Sequence, residues 1–582
     1  MKIRLKASPD GNFKDIYRDE PMTIEALIYS LTEEELEGLE RSPYRILLAK
    51  VNGSNKRLSS TIGQLEQEEG ENGEVSTVGT VDQTYTIELL DMRDHGAELA
   101  YQKSLSLLYA KAVKDVLDCD VSIENSLNKG FFTRIQMDRE VTQEDLDAVE
   151  ARMRKLISFN LPIIKEKYNL KEALEIMDEN GWYEKRDLLI QTIEARKNKK
   201  TTLYNLEGYR NYFYGPLVPS TGYIELFELR KYGDAVLLRF PYYTNPAEIP
   251  PYRDDYKLSQ AFEEESEWME ILKTEHLADL NKIILRGESR DLVLLQEALH
   301  EKKVAEIADM ITEQNKRIVL IAGPSSSGKT TFARRLCTQL RVNGLEPLYM
   351  GTDDYFVERS QTPLDEKGEK NYEDLEAVDI ELFNSNMNDL LAGKEVDIPT
   401  FDFKKGTKIF GQRLTTIGPH QPIIIEGIHA LNARLTEQIA EHEKFRIYIS
   451  PLTQLNIDRH SRVPSTDARM LRRMVRDYKY RDHTAIDTLR TWPKVRAGED
   501  KNIFPYNGQA DVMFNSALIY ETCLLKKYAK PLLEEIAETE PEYNEAQRLL
   551  RFMDNFVMIE EEKWVPNNSI MREFIGGSVF VE

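Results

Sequence analysis

The sequence predicts a multidomain α/β protein whose C-terminal half is a P-loop NTPase domain built on a doubly wound parallel sheet. Three observations carry this. The chain has 582 residues, enough for roughly three to four domains at about 150 residues each. From Arg317 onward, short β-branched runs alternate with amphipathic helices: IVLIA (318–322), PLYMG (347–351), PIIIEG (422–427), FRIYIS (445–450) and ADVMFN (510–515). Strands without polar alternation, separated by helices, belong to a parallel sheet covered on both faces. The first strand runs into Gly323-Pro324-Ser325-Ser326-Ser327-Gly328-Lys329-Thr330, a complete G-x-x-x-x-G-K-[ST] between a strand and a helix.

In chain order, residues 2–6, a Pro-Asp-Gly turn at 9–11 and a second extended stretch predict a hairpin. A helix from Thr23 to Leu39 follows, then the apolar run Ile46–Val51 with an Asn-Gly turn at 52–53, closing a small ββαβ unit within residues 1–65. Residues 66–83 are acidic and Gly-rich and predict a linker. A second, α+β unit spans 84–245, with a helix around Leu99–Leu117, a strand at Gly130–Met137, a helix at Gln143–Ile157 and an aromatic-rich β stretch. Residues 246–316 open on Pro246, Pro250 and Pro251 and turn helical and charged, a connector. The P-loop domain occupies 317–520 and a helical extension 521–582.

The composition, 41% hydrophobic and 30% charged, is that of ordinary folded protein. With 77 Lys+Arg against 100 Asp+Glu the net charge is −23, which disfavours a general nucleic-acid binder and leaves a local basic groove open. The three cysteines form no C-x-x-C pair and no two histidines lie three or four apart, so zinc ribbons and helical His pairs are excluded. No apolar run reaches about 18 residues and the start lacks a signal-like segment, so the expectation is a cytoplasmic protein without a membrane partner. A homo-oligomer is left open.

The P-loop states its chemistry directly. Residues Gly323 to Thr331 would cradle the phosphates of ATP with backbone N–H groups and the helix N-terminus. Lys329 would reach the β- and γ-phosphates, and the Thr330 hydroxyl would ligate Mg²⁺. Guanine recognition usually needs N-K-x-D, which none of the Asn-Lys pairs here completes, so a GTPase is disfavoured. PLYMG leads into Thr352-Asp353-Asp354-Tyr355-Phe356, at the strand end that faces the ligand crevice. An Asp there can take a proton from an attacking hydroxyl and help hold the metal; the plainer alternative is a helix cap. Glu426 ends the apolar strand 423–425, where a carboxylate would orient metal-bound water. Arg469, Arg472, Arg473 and Arg476 recur at i, i+3, i+4, i+7. They read either as a solvated face or as a lid clamping the transferred phosphoryl group, and the P-loop upstream favours the lid.

The succession GPSSSGKT, TDDYF, NYEDLEAVD (371–379), IPTFDF (398–403), IIIEG, RRMVRDYKYR (472–481) and ADVMFN resembles the uridine kinase/phosphoribulokinase family over about residues 317–520. The resemblance implies ATP-dependent phosphorylation of a sugar hydroxyl on a small-molecule substrate, typically the 5′-OH of a nucleoside. It implies Asp353 as catalytic base, Glu373 on the ribose hydroxyls, Phe401 and Phe403 flanking the base, and Glu426 near Mg²⁺. Arg473 and Arg476 would be lid arginines, and Arg481 an acceptor-site arginine. This chain has Gly406 where pyrimidine kinases place a histidine on the base edge. Residues 1–65 resemble the β-grasp TGS domain of threonyl-tRNA synthetase. Segments 101–113 and 213–229 resemble its editing domain, with Lys103, Leu107, Phe213 and Leu217 at the metal-site positions. None of the four is a metal ligand of the usual kind. The same arrangement is known in bacterial nucleoside kinases. Two alternatives stay open: a kinase of another small metabolite, such as a sugar phosphate or vitamin precursor, and an RNA- or ribosome-associated ATP-dependent regulator.

Overall fold

Alternation of Ile3 and Leu5 with lysine and arginine builds β1 (Lys2–Lys6), whose apolar side chains are buried while Lys2 and Arg4 face outward. The structure is a computed structural model that describes residues 1–63, 66–69, 75–78, 84–127, 129–193, 200–254, 256–364, 368–453 and 455–581. The chain forms two units. The first is Met1–Asp254 with Asn456–Arg462 and Glu538–Asn544; the second is Asp255–Leu455 with Val463–Ala537 and Glu545–Glu582.

In the first unit β2 (Phe13–Tyr17) returns antiparallel to β1. The single helix expected from Thr23 to Leu39 is two short ones, α1 (Ile24–Tyr29) and α2 (Glu33–Leu36). Thr32 and Glu35 form a reciprocal capping box, which satisfies the donors of a new helix start and so ends the old one. β3 (Leu48–Val51) and β4 (Ser54–Arg57) flank Asn52-Gly53, both at positive φ as a tight hairpin turn requires. The fifth strand is β5 (Thr84–Leu90), parallel to β1 and antiparallel to β3, giving the order β2-β1-β5-β3-β4. Residues 84–90, placed in the second unit by sequence, thus complete the first sheet. A parallel partner needs a long crossover, so no local signal announces it. Within the expected linker, Glu66–Glu69 pairs antiparallel with Val75–Val78; residues 64–65, 70–74 and 79–83 lie outside the described residues.

A second sheet, antiparallel in the order β6-β7-β9-β8, comprises β6 (Val121–Leu127), β7 (Gly130–Ile135), β8 (Glu228–Tyr232) and β9 (Ala235–Arg239). Helices α3 (His95–Leu117), capped by Asp94, and α4 (Gln143–Ser158) bury their apolar faces in the same core. Leu107, Phe213 and Leu217 lie in that core.

Residues 456–462, expected inside the 317–520 domain, form a hairpin of Asn456–Asp458 with Ser461–Arg462 that belongs to the first unit. Its Asp458 and His460 close around the fully buried Lys185. The lysine Nζ donates to Asn211 Oδ1 at 2.6 Å and lies 2.9 Å from His460 Nδ1 and 3.5 Å from Asp458 Oδ1. Burial pushes the lysine pKa down, against the pull of Asp458. Removing the carboxylate strands a buried cation. Asp458→Ala is therefore expected to cost about 3 to 5 kcal/mol, read as a lowered unfolding midpoint of the full chain.

The second unit follows the expected pattern closely. Its helices Tyr256–Leu272, Leu277–Leu285 and α5 (Ser289–Glu313) lead into β10 (Ile318–Ala322), every residue of which is buried. There follow α6 (Lys329–Val342), β11 (Leu348–Gly351), β12 (Ile423–Glu426), β13 (Lys444–Ser450), α7 (Ser465–Tyr480), α8 (Ala485–Asn502), β14 (Val512–Asn515) and α9 (Glu521–Glu534). All five strands are parallel, in the order β11-β12-β10-β13-β14. Their carboxyl ends open on one edge, where an α/β sheet binds its ligand. No helix among the described residues is long and apolar enough to cross a membrane.

Candidate active site

The loop from β10 to α6 turns on two left-handed residues, Ser326 (φ 59) and Gly328 (φ 82), a conformation that brings successive backbone N–H groups to one side. The hydroxyls of Ser326 and Ser327 are buried and have no hydrogen-bond partner among the described residues. Such orphaned donors are what an anion's oxygens relieve. Lys329 Nζ donates to the carbonyls of Gly323 and Pro324, at 3.0 and 3.2 Å. The cradle from Gly323 to Thr331 therefore suits a polyphosphate.

The parallel register sets Glu426, the last residue of β12, beside Ile321 and Gly351. There its Oε1 accepts from Thr330 Oγ1 at 2.9 Å and from the Tyr349 hydroxyl at 3.1 Å. Hydroxyl and carboxylate oxygens are hard donors of the kind Mg²⁺ takes. Among the described residues no group of three or more His, Cys, Asp or Glu could hold a metal. Thr330 Oγ1 and the Glu426 carboxylate would suit Mg²⁺, which usually takes one or two protein oxygens and completes its shell with phosphate and water.

The two aspartates after β11 have different surroundings. Asp354 is paired with Arg413 Nη1 at 2.6 Å. The Asp353 carboxylate makes no hydrogen bond or ion pair among the described residues. It sits in a crowded cleft where desolvation first, then the charges of Glu426 and Glu373, push its pKa up to about 6 against the opposing pull of Lys329. Glu373 is raised in the same way, by desolvation and Glu499, with Arg473 and Lys329 opposing. Lys329, Glu373, Glu426 and Arg473 thus act on each other or on Asp353, which brings the sequence-predicted charged residues to one place.

The arginine stripe on α7 does not stay together. Arg469 and Arg472 are buried and paired internally, with Glu499 and Glu521 respectively. Arg469 Nε also donates to the Ser325 carbonyl at 3.0 Å, and Arg472 Nη2 to the Ser516 carbonyl at 2.7 Å. The expectation that all four form a phosphate clamp is corrected: buried guanidiniums need fixed counter-charges, and these two have them. Arg473, Arg476 and Arg481 instead share one carboxylate, Asp477, at 3.2, 2.7 and 3.6 Å. Asp477 is the carboxylate that all three contact directly. Arg473 Nη1 donates to Ser325 Oγ at 2.9 Å, which ties this group to the P-loop. Desolvation pushes the pKa of Arg473 and of Arg481 down, while Glu373 supports the first and Asp353 the second.

Phe401 and Phe403 join Phe356 in an edge-to-face cluster with centroid distances of 5.1 to 6.2 Å. Phe401 is buried, and Phe403 is 59% exposed and open to stacking. Gly406 has φ +73, and a Cβ there would lie 2.6 Å from both Cβ and Nε of Arg359. The Arg359 side chain fills that space, its guanidinium donating to the carbonyls of Phe403 and Lys404. Arg359, Glu499 and Tyr349 carry no sequence signal of their own, whereas Asp477 within RRMVRDYKYR is legible as a counter-charge because it sits between arginines.

Residues 318–522 match the model of the phosphoribulokinase/uridine kinase family. A uridine kinase of Staphylococcus epidermidis is 29% identical over 197 residues, 34% of this chain and 86% of the relative. One from Deinococcus deserti is 27% identical over the same shares. A solved structure of a possible uridine kinase from Bacillus stearothermophilus is 21% identical, with a TM-score of 0.22, covering 36% of this chain and 99% of that one.

Proposed function

We propose, from the premise that residues 318–522 are a phosphoribulokinase/uridine kinase-family domain, that the chain transfers the γ-phosphoryl group of ATP to the 5′-hydroxyl of a nucleoside. The observation that carries this is Asp353 at the carboxyl edge of the sheet, whose carboxylate has no hydrogen-bond or ion-pair partner among the described residues and feels the charges of Glu426 and Lys329. A carboxylate kept free of structural partners is available to accept the hydroxyl proton as the nucleophile attacks.

In this reading the P-loop backbone and Lys329 hold the triphosphate, and Thr330, Glu426 and Asp353 would hold Mg²⁺, the first two already hydrogen-bonded to each other. The ion supplies charge neutralisation on the phosphate oxygens when bound. Arg473 and Arg476 offset the charge that spreads over the transferred group. Glu373 and Arg481 orient the sugar, and Phe401 and Phe403 take a flat ring against their faces.

One observation favours a second reading. Arg359 occupies the space at Gly406 that a pyrimidine-reading side chain would need, which suits an acceptor other than uridine or cytidine, including a phosphorylated sugar. ADP release measured with a panel of nucleosides and sugar phosphates decides between them. Turnover is expected on a nucleoside and absent on sugar phosphates; the opposite ranking overturns the nucleoside assignment and keeps the kinase.

A further inference from the structure

The C-terminal segment lies beyond the matched family region, yet it reaches the nucleotide cradle. Ser569, Ile570, Met571, Phe574 and Ile575 are all buried. A Cβ on Gly328 would come within 2.5 Å of Ile570 Cγ2, so the segment presses directly on the P-loop. Arg472 stacks over Phe574 at 5.2 Å, and Lys479 donates to the Ile575 carbonyl, fixing it against α7 as well.

This packing delivers one charged group, Glu573. Its Oε2 accepts from Thr331 Oγ1 at 2.8 Å and from Thr331 N–H at 3.4 Å. Thr331 is the third residue of α6, so its N–H is one of the free donors at the helix start, which with the loop amides cradle phosphate. A second carboxylate, Glu499, accepts the N–H of Ser325 at 3.0 Å, but it is neutralised by Arg469 and Arg496. Glu573 makes no ion pair among the described residues. Among the described residues its negative charge is held by the helix N-terminus, as a bound anion would be.

We propose that Glu573 is an internal stand-in for a nucleotide phosphate, a determinant of nucleotide affinity that must release Thr331 before the phosphate chain seats fully. This rests on the ATP-binding reading above. A carboxylate and a phosphate compete for the same donors and repel each other, so the segment sets how tightly the cradle takes polyphosphate.

The test uses the full chain and isothermal titration with ATP, inorganic tripolyphosphate and adenosine, comparing wild type with Glu573→Gln. Glutamine keeps the acceptor for Thr331 and removes only the charge. The variant is expected to bind ATP and tripolyphosphate about tenfold tighter, about 1.4 kcal/mol, with adenosine unchanged. Glu573→Ala, which also removes the acceptor, is expected to move the same way. Equal or weaker ATP binding in both variants overturns the proposal, as does an equal shift for adenosine, which would mark a packing effect. A wild type that binds neither ATP nor tripolyphosphate overturns the nucleotide reading itself.

Discussion

Asp353→Asn is expected to lower kcat by about 10² to 10⁴ while the affinity for ATP stays within a few-fold of wild type. The amide has the shape of the carboxylate but cannot take the proton of the attacking hydroxyl. Among the described residues the side chain makes no hydrogen bond or ion pair, so the fold does not depend on it. Its ionised form is crowded by Glu426 and Glu373, so the neutral variant should melt at or above the wild-type temperature. The sign is fixed by the raised pKa: the folded state disfavours the charge, and removing it relieves that cost above the titration range. The same shift predicts the wild-type pH profile. The basic form dominates only above about 6, so kcat/KM should fall about tenfold per pH unit below that value. A variant with normal turnover, or a flat profile from about pH 5 to 8, removes Asp353 from the mechanism. Asp354→Asn serves as the contrast, since it breaks the pair with Arg413 and should act on stability instead.

Arg472→Met and Arg476→Met should part company. Arg472 is fully buried and pairs with Glu521, whose other oxygen already lacks a hydrogen-bond partner. Removing the guanidinium leaves a buried, uncompensated carboxylate, at a cost of about 3 to 5 kcal/mol. That is a large part of the roughly 5 to 15 kcal/mol that holds a domain together. The expected result is a strongly lowered unfolding midpoint, with activity lost only as the protein unfolds. Arg476 shares Asp477 with Arg473 and Arg481, which remain to satisfy it. Arg476→Met should therefore stay folded and lose about 10² to 10³ in kcat. If Arg472→Met melts like wild type and is simply inactive, the division of the stripe into structural and functional arginines fails.

The second unit was largely legible in the sequence. IVLIA, PLYMG, PIIIEG, FRIYIS and ADVMFN each fall on a strand of the parallel sheet, the first with the same bounds and the others with an end shifted by one or two residues. The P-loop was legible for the same reason: its chemistry is backbone geometry spelled out by adjacent residues, with a left-handed turn at Gly328 and a helix start at Lys329. The first unit was less so. Its boundary shifted because β5 pairs with β1 across most of the domain's length, and its helix divided because a capping box at Thr32 outweighed the apolar spacing.

The sequence by itself determined the local chemistry of this protein: a phosphate loop, acids at strand ends, aromatics at 401 and 403, and an arginine helix. Only the tertiary structure decided which of those charges are spent. Two arginines of one stripe are neutralised by Glu499 and Glu521, while their neighbours share Asp477; one aspartate of a pair is tied to Arg413 and the other is left open. It also decided that Glu573, far along the chain, reaches Thr331. The physical reason is common to all of these. Spacing along a chain fixes which face a residue lies on, but a charge is active or structural according to the counter-charge that folding brings against it from a distant segment.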